Sequence, residues 1–559
     1  MQSQTSAYFQ IVEKRFTKRI LIREGNRVSV ESKLELASAA STGMIIAYHA
    51  QERPDVKALV TNYGERSFAE LNERINQFAR VLRKAGLKPD DGVAMLLTNR
   101  PEFVEVYYAC MRAGLRITPI NWHLTGDNAS YIVENSGAKA FIADIRCQEP
   151  AIEALRDNGP QLSIALAVGG AIDGFQAYEE AISGEDKANI EAPEMGSQML
   201  YTSGTTGRPK GVFRERELPG TPPSAVAATT TRTIESASYQ AGKDLVLCTG
   251  PAYHAAPLVF NITLPLAAGV GTVLMDKWDA EETLRLIDLH KITHTHMVAT
   301  MFHRLLALPE GVQAKYDIST LRYVLHGAAP CPVHTKQEMI DWVGPVIYEY
   351  YAATEGGGGF FIDSEEWLKK PGSVGKAPPE ADNKIVDDDG NEVPVDEVGT
   401  IYFRSPLTKF VYFKDDEKTN NSYSGEYFTL GDMGYFDADG YLFLTGRNAE
   451  TIISGGVNIY PQETDDVLLK HPAVVDVCTV GIPSEEWGEE VRSVVMLKDT
   501  SGDTTAMVQE LISFCREHLP HFKCPRSIDL VDDLPRLPSG KIQRKVVRAP
   551  YWEGRKRQI

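Results

Sequence analysis

Between Tyr201 and Val212 the chain reads Tyr-Thr-Ser-Gly-Thr-Thr-Gly-Arg-Pro-Lys-Gly-Val. Four hydroxyl side chains, Thr202, Ser203, Thr205 and Thr206, alternate with Gly204 and Gly207 and are followed by one cation, Lys210. Hydroxyls and bare backbone N–H groups can ring a phosphate, glycines let the backbone come close, and a lysine supplies the compensating charge. The stretch is therefore expected to cradle a polyphosphate. It is not a Walker A loop, whose lysine is followed by Ser or Thr, because Lys210 precedes Gly211. A flexible polar loop is the competing reading, and the ordered alternation ahead of Val212-Phe213 weighs against it.

Other stretches offer complementary chemistry. Tyr348-Glu-Tyr-Tyr351-Ala-Ala-Thr354-Glu355 runs into four glycines, Gly356 to Gly359. A carboxylate beside a hydroxyl at the edge of a four-glycine loop suits Mg²⁺, a hard cation that shares oxygen ligands with phosphates; a solvated turn is the alternative. Gly327-Ala328-Ala329-Pro330 would let a planar ring lie against backbone, or is simply a tight loop. Gly431-Asp432 presents a carboxylate suited to ribose hydroxyls, and Thr445-Gly446-Arg447 offers a guanidinium fork. Tyr253-His254 follows an apolar run and faces either a pocket or the core. Lys541 ends Pro538-Ser-Gly-Lys, a turn from which a side chain can project into a neighbouring cleft.

These residues need a scaffold. At 559 residues the chain exceeds one core and implies two or more domains. Charged residues make up 24% and hydrophobic ones 43%, as in soluble globular proteins. A net charge of −18 argues against a general nucleic-acid binder. Seven cysteines without a C-x-x-C pair suggest neither a disulfide framework nor a zinc site, and point to a reducing, cytoplasmic setting. No apolar run has the length of a membrane span, no secretory h-region opens the sequence, and Arg557-Gln558-Ile559 is not a peroxisomal tripeptide. Peripheral membrane contact and a homodimer are both compatible with these totals.

The pattern predicts helices over 68–85 and 102–113 between strands over 92–97, 138–143 and 162–168, with further strands over 244–249, 270–275 and 321–326. Such alternation reads as α/β with largely parallel sheet. Turn signals at Asp387-Asp-Asp-Gly and Asp437-Ala-Asp-Gly mark a β-rich subdomain, without the spacing of a calcium loop. From Asn448 the texture changes: helices over 461–469 and 507–518 and strands over 474–480 and 491–497 form a smaller unit. The division expected is an arm over 1–40, in which 18–22 could be an edge strand, a large domain over 41–447 and a small one over 448–559. Residues 541–559 carry seven Lys or Arg against one acid.

Taken together and in order, these motifs resemble the adenylate-forming superfamily of acyl- and aryl-CoA synthetases, peptide-synthetase adenylation domains and firefly-type luciferases, over roughly residues 45–550. The resemblance implies an α/β fold, a large N-terminal domain of stacked sheets with a β-rich subdomain, and a small, mobile α+β C-terminal domain. It implies an ATP-dependent acid–thiol ligase that forms acyl-AMP, releases pyrophosphate, and transfers the acyl group to CoA after the small domain rotates. By the same resemblance Thr202 to Lys210 hold phosphates, Thr354 and Glu355 form the Mg·ATP motif, Gly327 to Pro330 lie against adenine, Tyr351 contributes to cofactor binding, Asp432 and Arg447 contact ribose, and Lys541 is the catalytic lysine. Gly455 and Gly456, in Ser454-Gly-Gly-Val-Asn-Ile-Tyr-Pro461, would line the pantetheine tunnel, with Trp487 in a neighbouring motif near CoA and Lys523 and Arg526 near the CoA phosphates. One departure is Ala449, where the family usually has Asp or Lys as the pivot, which implies an altered hinge.

The acid pocket implied lies beside Tyr253-His254, Gly327 and the residues after Glu355. Gly356, Gly357, Ala255 and Ala256 have little bulk, which predicts room for a sizeable apolar acid, medium- or long-chain, branched, aryl or steroid-derived. Competing readings are an acyl- or aminoacyl-AMP ligase serving a carrier protein, a luciferase-like oxidase, and a non-catalytic acyl-nucleotide binder. Retention of Glu355 and Lys541 speaks against the last.

Overall fold

The computed structural model describes residues 30–202, 208–214, 237–378, 381–387, 389–404, 409–455, 457–537 and 540–553. The expected edge strand over 18–22, Ser203 to Gly207 and Gly456 lie outside them.

The first helix after the opening hairpin shows how locally the sequence dictates structure. Ser67 caps Phe68–Lys84 by accepting from Glu70 N at 3.2 Å, and the Glu70 carboxylate accepts from Ser67 N at 2.8 Å. This reciprocal box fixes the helix start, and acidic Glu70 and basic Arg83 and Lys84 complement its dipole. Its apolar face buries Phe68, Leu71, Ile75, Phe78 and Leu82. Each such side chain stabilises the fold by roughly 1.5–3 kcal/mol. Truncating Phe78 to Ala would cost about 3–5 kcal/mol.

Two stacked sheets organise the large domain. One has six strands, all parallel to their neighbours, in the order Gln176–Ala177, Ile164–Val168, Ala138–Asp144, Gly92–Leu96, Arg116–Pro119 and Ser197–Gln198. The other has eight, in the order Gly356–Ile362, Ile347–Ala353, Tyr323–His326, His294–Met297, Leu245–Cys248, Gly271–Leu274, Lys57–Thr61 and Gly64–Ser67, with parallel pairing inside and an antiparallel pair at each edge. The helix Pro101–Arg112, buried at every position, shares a core with Val93, Met95 and Ile142 of one sheet and Leu59, Cys248 and Leu274 of the other.

An antiparallel subdomain follows, in the order Ser373–Gly375, Leu442–Arg447, Tyr427–Phe436, Gly399–Arg404 and Asp382–Val386, beside a three-stranded sheet of Phe410–Tyr412, Lys210–Arg214 and Leu200–Thr202. The chain then makes one 3-10 turn, Asn448–Glu450, and enters a separate sheet of Val457–Ile459, Ile452–Ser454, Gly488–Leu497 and Val474–Ser484, with Ser527–Leu530 parallel to Gly488–Leu497. Helices Pro461–Leu468 and Thr504–His518 pack on it.

Two local expectations change. The four glycines form no loop; they open the strand Gly356–Ile362, antiparallel to Ile347–Ala353. The strand expected from 162 starts at Ile164, because Gly159–Gln161 form a 3-10 turn first. No described helix is long and apolar enough to cross a membrane.

Candidate active site

The strands Tyr323–His326 and Ile347–Ala353 are parallel neighbours, and their carboxyl ends deliver Gly327 and Tyr351 to the same crevice. Ala328 follows with φ of 67°, a left-handed conformation that costs an alanine energy and that the turn imposes. From the β-rich subdomain, Asp432 and Arg447 are direct antiparallel partners. Tyr351 Oη donates to Asp432 Oδ2 at 2.6 Å and Arg447 Nε donates to Oδ1 at 2.9 Å. Both carboxylate oxygens are thus oriented, and the low exposure of Asp432, 8%, strengthens these charge-assisted bonds. The Asp432 charge in turn helps burial push the Tyr351 hydroxyl far above its ordinary range, so it stays a donor.

Lys541 reaches this crevice from the small domain. Its turn is tied by Leu537 N to Lys541 O at 2.8 Å and Gly540 N to Leu537 O at 2.7 Å. Gly540 has φ of 80°, and a Cβ there would lie 2.5 Å from Thr300 Oγ1, so the position needs glycine for both conformation and contact. Burial and the nearby Arg447 lower the Lys541 pKa, while Glu450, Asp432 and Glu355 oppose the shift. The outcome is a cavity of about 300 Å³ lined by Gly327, Ala328, Ala329, Pro330, Tyr351, Asp432, Arg447 and Lys541.

Thr354 and Glu355 lie outside that lining. Thr354 O accepts from Arg214 Nη2 at 3.1 Å, and Glu355 Oε1 accepts from Tyr412 Oη at 2.9 Å. They therefore face the strand Lys210–Arg214, whose first residue is the Cα partner of Thr202. Lys210 Nζ donates to Asp415 Oδ2 at 2.6 Å, so any anion bound by Lys210 would share or displace that carboxylate. Among the described residues no cluster of three or more His, Cys, Asp or Glu could cage a metal by itself. Glu355, a hard oxygen donor bonded to Tyr412 of the strand that pairs with Lys210–Arg214, fits Mg²⁺, which takes one or two carboxylates and completes its shell with water and substrate phosphate.

Gly356 and Gly357 do not widen the cavity. A Cβ at Gly356 would meet the Arg214 guanidinium at 3.0 Å, and one at Gly357 the Phe403 ring at 3.4 Å. The space beside these glycines is already taken by Arg214, of the three-stranded sheet, and Phe403, of the β-rich subdomain. Tyr253 and His254 also lie away from the lining; the Tyr253 ring packs edge-on against Trp122 at 4.7 Å. Burial and His123 hold His254 neutral, with its pKa down to about 4.

Gly455 and Trp487 meet on another face of the small domain. Gly455 N donates to Trp487 O at 2.8 Å, and its φ of 59° with the indole close by excludes a side chain. Arg526 stacks over the same indole at 5.0 Å, whereas Lys523 is paired with Glu463. The sequence reading missed Arg536, Asp476, Glu450 and Tyr350, all of which line the cavity. No local signal marks the first three, since the charged partners, Asp476 for Arg536 and Arg544 for Glu450, are distant in sequence. Tyr350 was visible only as one aromatic among three.

Two stacked α/β sheets and a β-rich subdomain, with a small lysine-bearing unit closing on one nucleotide-sized cleft, define an adenylate-forming enzyme. The chain belongs to the AMP-binding enzyme family: that description matches residues 46–413, and AMP-binding enzyme C-terminal domain matches residues 463–541. It is 32% identical to a 2-succinylbenzoate–CoA ligase of Bacillus licheniformis, over 89% of this chain and 97% of the relative. It is 29% identical to the fatty acid–[acyl-carrier-protein] ligase ScoC of Streptomyces coeruleorubidus, over 92% of this chain and 97% of the relative. The solved structure of o-succinylbenzoate CoA synthetase from Bacillus subtilis, in complex with its acyl-adenylate intermediate, is similar at a TM-score of 0.75 and 26% identity, covering 92% of this chain and 99% of that one.

Proposed function

We propose that the protein is an ATP-dependent ligase that activates an apolar carboxylic acid as acyl-AMP and passes the acyl group to CoA. The observation that carries this reading is the convergence of Lys541, from one unit, with Asp432, Arg447 and Tyr351, from another, on a cleft walled by Gly327 to Pro330. A carboxylate is a poor acyl donor because its leaving group would be oxide. In the first step a carboxylate oxygen attacks the α-phosphorus of ATP, a C(O)O–P bond forms, the bond to the bridging oxygen breaks, and pyrophosphate leaves. Charge builds on phosphoryl oxygens, and fixed cations and donors stabilise it. In this reading Asp432, oriented by Tyr351 and Arg447, holds ribose, Gly327 to Pro330 carry adenine, and Lys541 bridges the carboxylate and α-phosphate. Thr202 to Lys210 receive the departing phosphates. Glu355 would hold Mg²⁺, which supplies electrostatic neutralisation of the phosphates when bound.

For the second step we place the hinge at Asn448–Glu450, between the last strand of one sheet and the first of the next. Rotation there would withdraw Lys541 and bring Gly455 and Trp487 to the cleft. The CoA thiolate then attacks the acyl carbon, a C–S bond forms, and AMP leaves. The test is incubation with ATP, CoA and a panel of acids, scored for AMP, pyrophosphate and acyl-CoA. Acid-dependent AMP with stoichiometric thioester supports the reading; ADP, or no acid dependence, overturns it. The similarity to the Streptomyces ligase named for acyl carrier protein favours one second reading, transfer to a carrier-protein thiol. Supplying holo acyl carrier protein and CoA in parallel separates the two acceptors.

A further inference from the structure

Resting on that ligase reading, we propose that Tyr350 is the end wall of the acid pocket and sets the length of acid the enzyme accepts. Gly327 presents a bare backbone face inside the cleft, and a Cβ there would lie 2.6 Å from Tyr350 Cε1 and 2.8 Å from Cζ. The phenol ring therefore occupies the space that the glycine leaves. Gly327, Tyr350, Ala352, Ala353 and Lys541 line the same cavity. An acid whose carboxylate meets Lys541 and whose tail runs past Gly327 finds small alanines to its side and the aromatic ring at its end. The alanines give width; Tyr350 limits depth.

The ring is held from two sides. Tyr350 Oη and His296 Nε2 share a hydrogen bond at 3.2 Å, and the Phe260 ring packs on Tyr350 at 4.8 Å. Phe260 also stacks on His296, with centroids 5.8 Å apart and an interplanar angle of 17°. Burial keeps His296 neutral, with its pKa lowered to about 3, so the contact is a neutral hydrogen bond across the working range. Phe260 comes from Pro257–Thr263, a π-helical segment of the kind that recurs at functional sites. Its neighbour Asn261 pins the segment to the sheet: Asn261 Oδ1 accepts from His296 N at 3.0 Å, and Asn261 O accepts from Thr272 Oγ1 at 2.7 Å. A side chain fixed by packing and hydrogen bonding in this way makes a rigid stop.

Acid-dependent pyrophosphate exchange with straight-chain acids of increasing length tests the proposal, together with calorimetric binding of the matching acyl-sulfamoyl-adenosines. Wild type should show a sharp cut-off. Each methylene in an apolar pocket changes kcat/KM by about 10- to 200-fold, so Tyr350→Ala should raise kcat/KM for the first excluded acid at least about 10-fold. Tyr350→Phe, which keeps the ring, should keep the cut-off. Tyr350→Leu serves as a second opening variant, and a wild-type-like Tm checks folding in each. His296→Ala should blur the cut-off without altering the KM for ATP, marking His296 as a positioning residue. An unchanged cut-off in both opening variants, with acid-dependent exchange intact, overturns the role of Tyr350 and leaves the ligase reading standing. No exchange with any acid and no binding of any acyl-sulfamoyl-adenosine in wild type overturns both.

Discussion

Arg536 Nη1 donates to the carbonyl oxygen of Gly540 at 2.6 Å, one residue before the lysine that enters the cleft. The same guanidinium grips Asp476 through Nε at 2.8 Å and Nη2 at 2.6 Å. Asp476 belongs to the long strand Val474–Ser484, so the tip of the turn is braced against a strand of the small domain's sheet. Displacing a reacting group by about 1 Å can cost 10²-fold in rate. Arg536→Ala should therefore lower the rate of adenylate formation by roughly 10- to 100-fold with little change in the KM for ATP. Pyrophosphate exchange under ATP saturation checks this, and a purely KM-based loss would count against a positioning role.

Lys541 should matter to only one of the two half-reactions. Removing one preorganised donor to a developing charge costs about 10²- to 10³-fold. Lys541→Ala should slow acyl-AMP formation by roughly that factor, and thioester formation from chemically prepared acyl-AMP should stay within a few-fold of wild type. The pH profile carries a further sign. Burial and Arg447 lower the Lys541 pKa from the ordinary lysine value of 10.5, so the ammonium is lost at lower pH than in a free lysine. Adenylate formation should decline on the alkaline side before pH 10.5 is reached, and thioester formation from acyl-AMP should not share that limb. Parallel alkaline limbs in the two half-reactions would contradict the assignment.

What the sequence made legible follows from how local each signal is. The helix Phe68–Lys84 was readable because Ser67, Glu70 and the apolar face lie within one continuous stretch. Asp432 and Arg447 were readable because each follows a glycine at a strand position, although only the fold shows them to be register partners. The filling of the Gly327 face by Tyr350 was not readable, since it joins the ends of two strands whose pairing is a tertiary fact. The four glycines misled for a similar reason. Gly356 and Gly357 hold φ of 107° and 100°, which glycine allows, where the strand begins its irregular pairing at Ala353, and Arg214 and Phe403 from elsewhere in the chain lie beside them. A π-helix leaves no distinct periodicity in a short apolar run, which hid Pro257–Thr263.

Asp466 predicts a pH dependence of stability. It lies on Pro461–Leu468, accepts from Gln462 Nε2 at 2.7 Å, and its charge is felt by Cys331, next to the segment Gly327 to Pro330. Burial raises its pKa to about 7; Asp465 and Glu463 add to the rise, and the Gln462 bond and Lys470 oppose it. The folded-state value thus exceeds the ordinary 3.8, so the folded form binds the proton more tightly. Its contribution is fully present below pH 3.8 and is lost as pH rises through about 7. Asp466→Asn, which keeps the amide-like shape without the charge, should raise the Tm above that window and leave it unchanged at the acidic end. Thermal denaturation of both proteins across pH checks this, and a pH-independent difference would refute it.

Ala449 tests where the small domain turns. It is the middle residue of the single 3-10 turn between Arg447, the end of one sheet, and Ile452, the start of the next. Thr451 N closes that turn on Arg447 O at 3.1 Å and Asn448 O at 3.2 Å. A proline at 449 fixes its own φ near −65°, within the range of the 3-10 turn it already occupies, so it holds the turn and restricts a residue that a rotation must reset. Lys541 already lines the cleft in this structure, so the first step, as proposed, needs no rotation. Ala449→Pro should leave acyl-AMP formation within a few-fold of wild type while slowing thioester formation by an order of magnitude or more, in line with a conformational step that gates turnover. Single-turnover measurements with acyl-AMP and CoA separate the steps. Equal loss in both half-reactions would move the hinge elsewhere, because a change confined to the turn would then be disturbing the closed site itself.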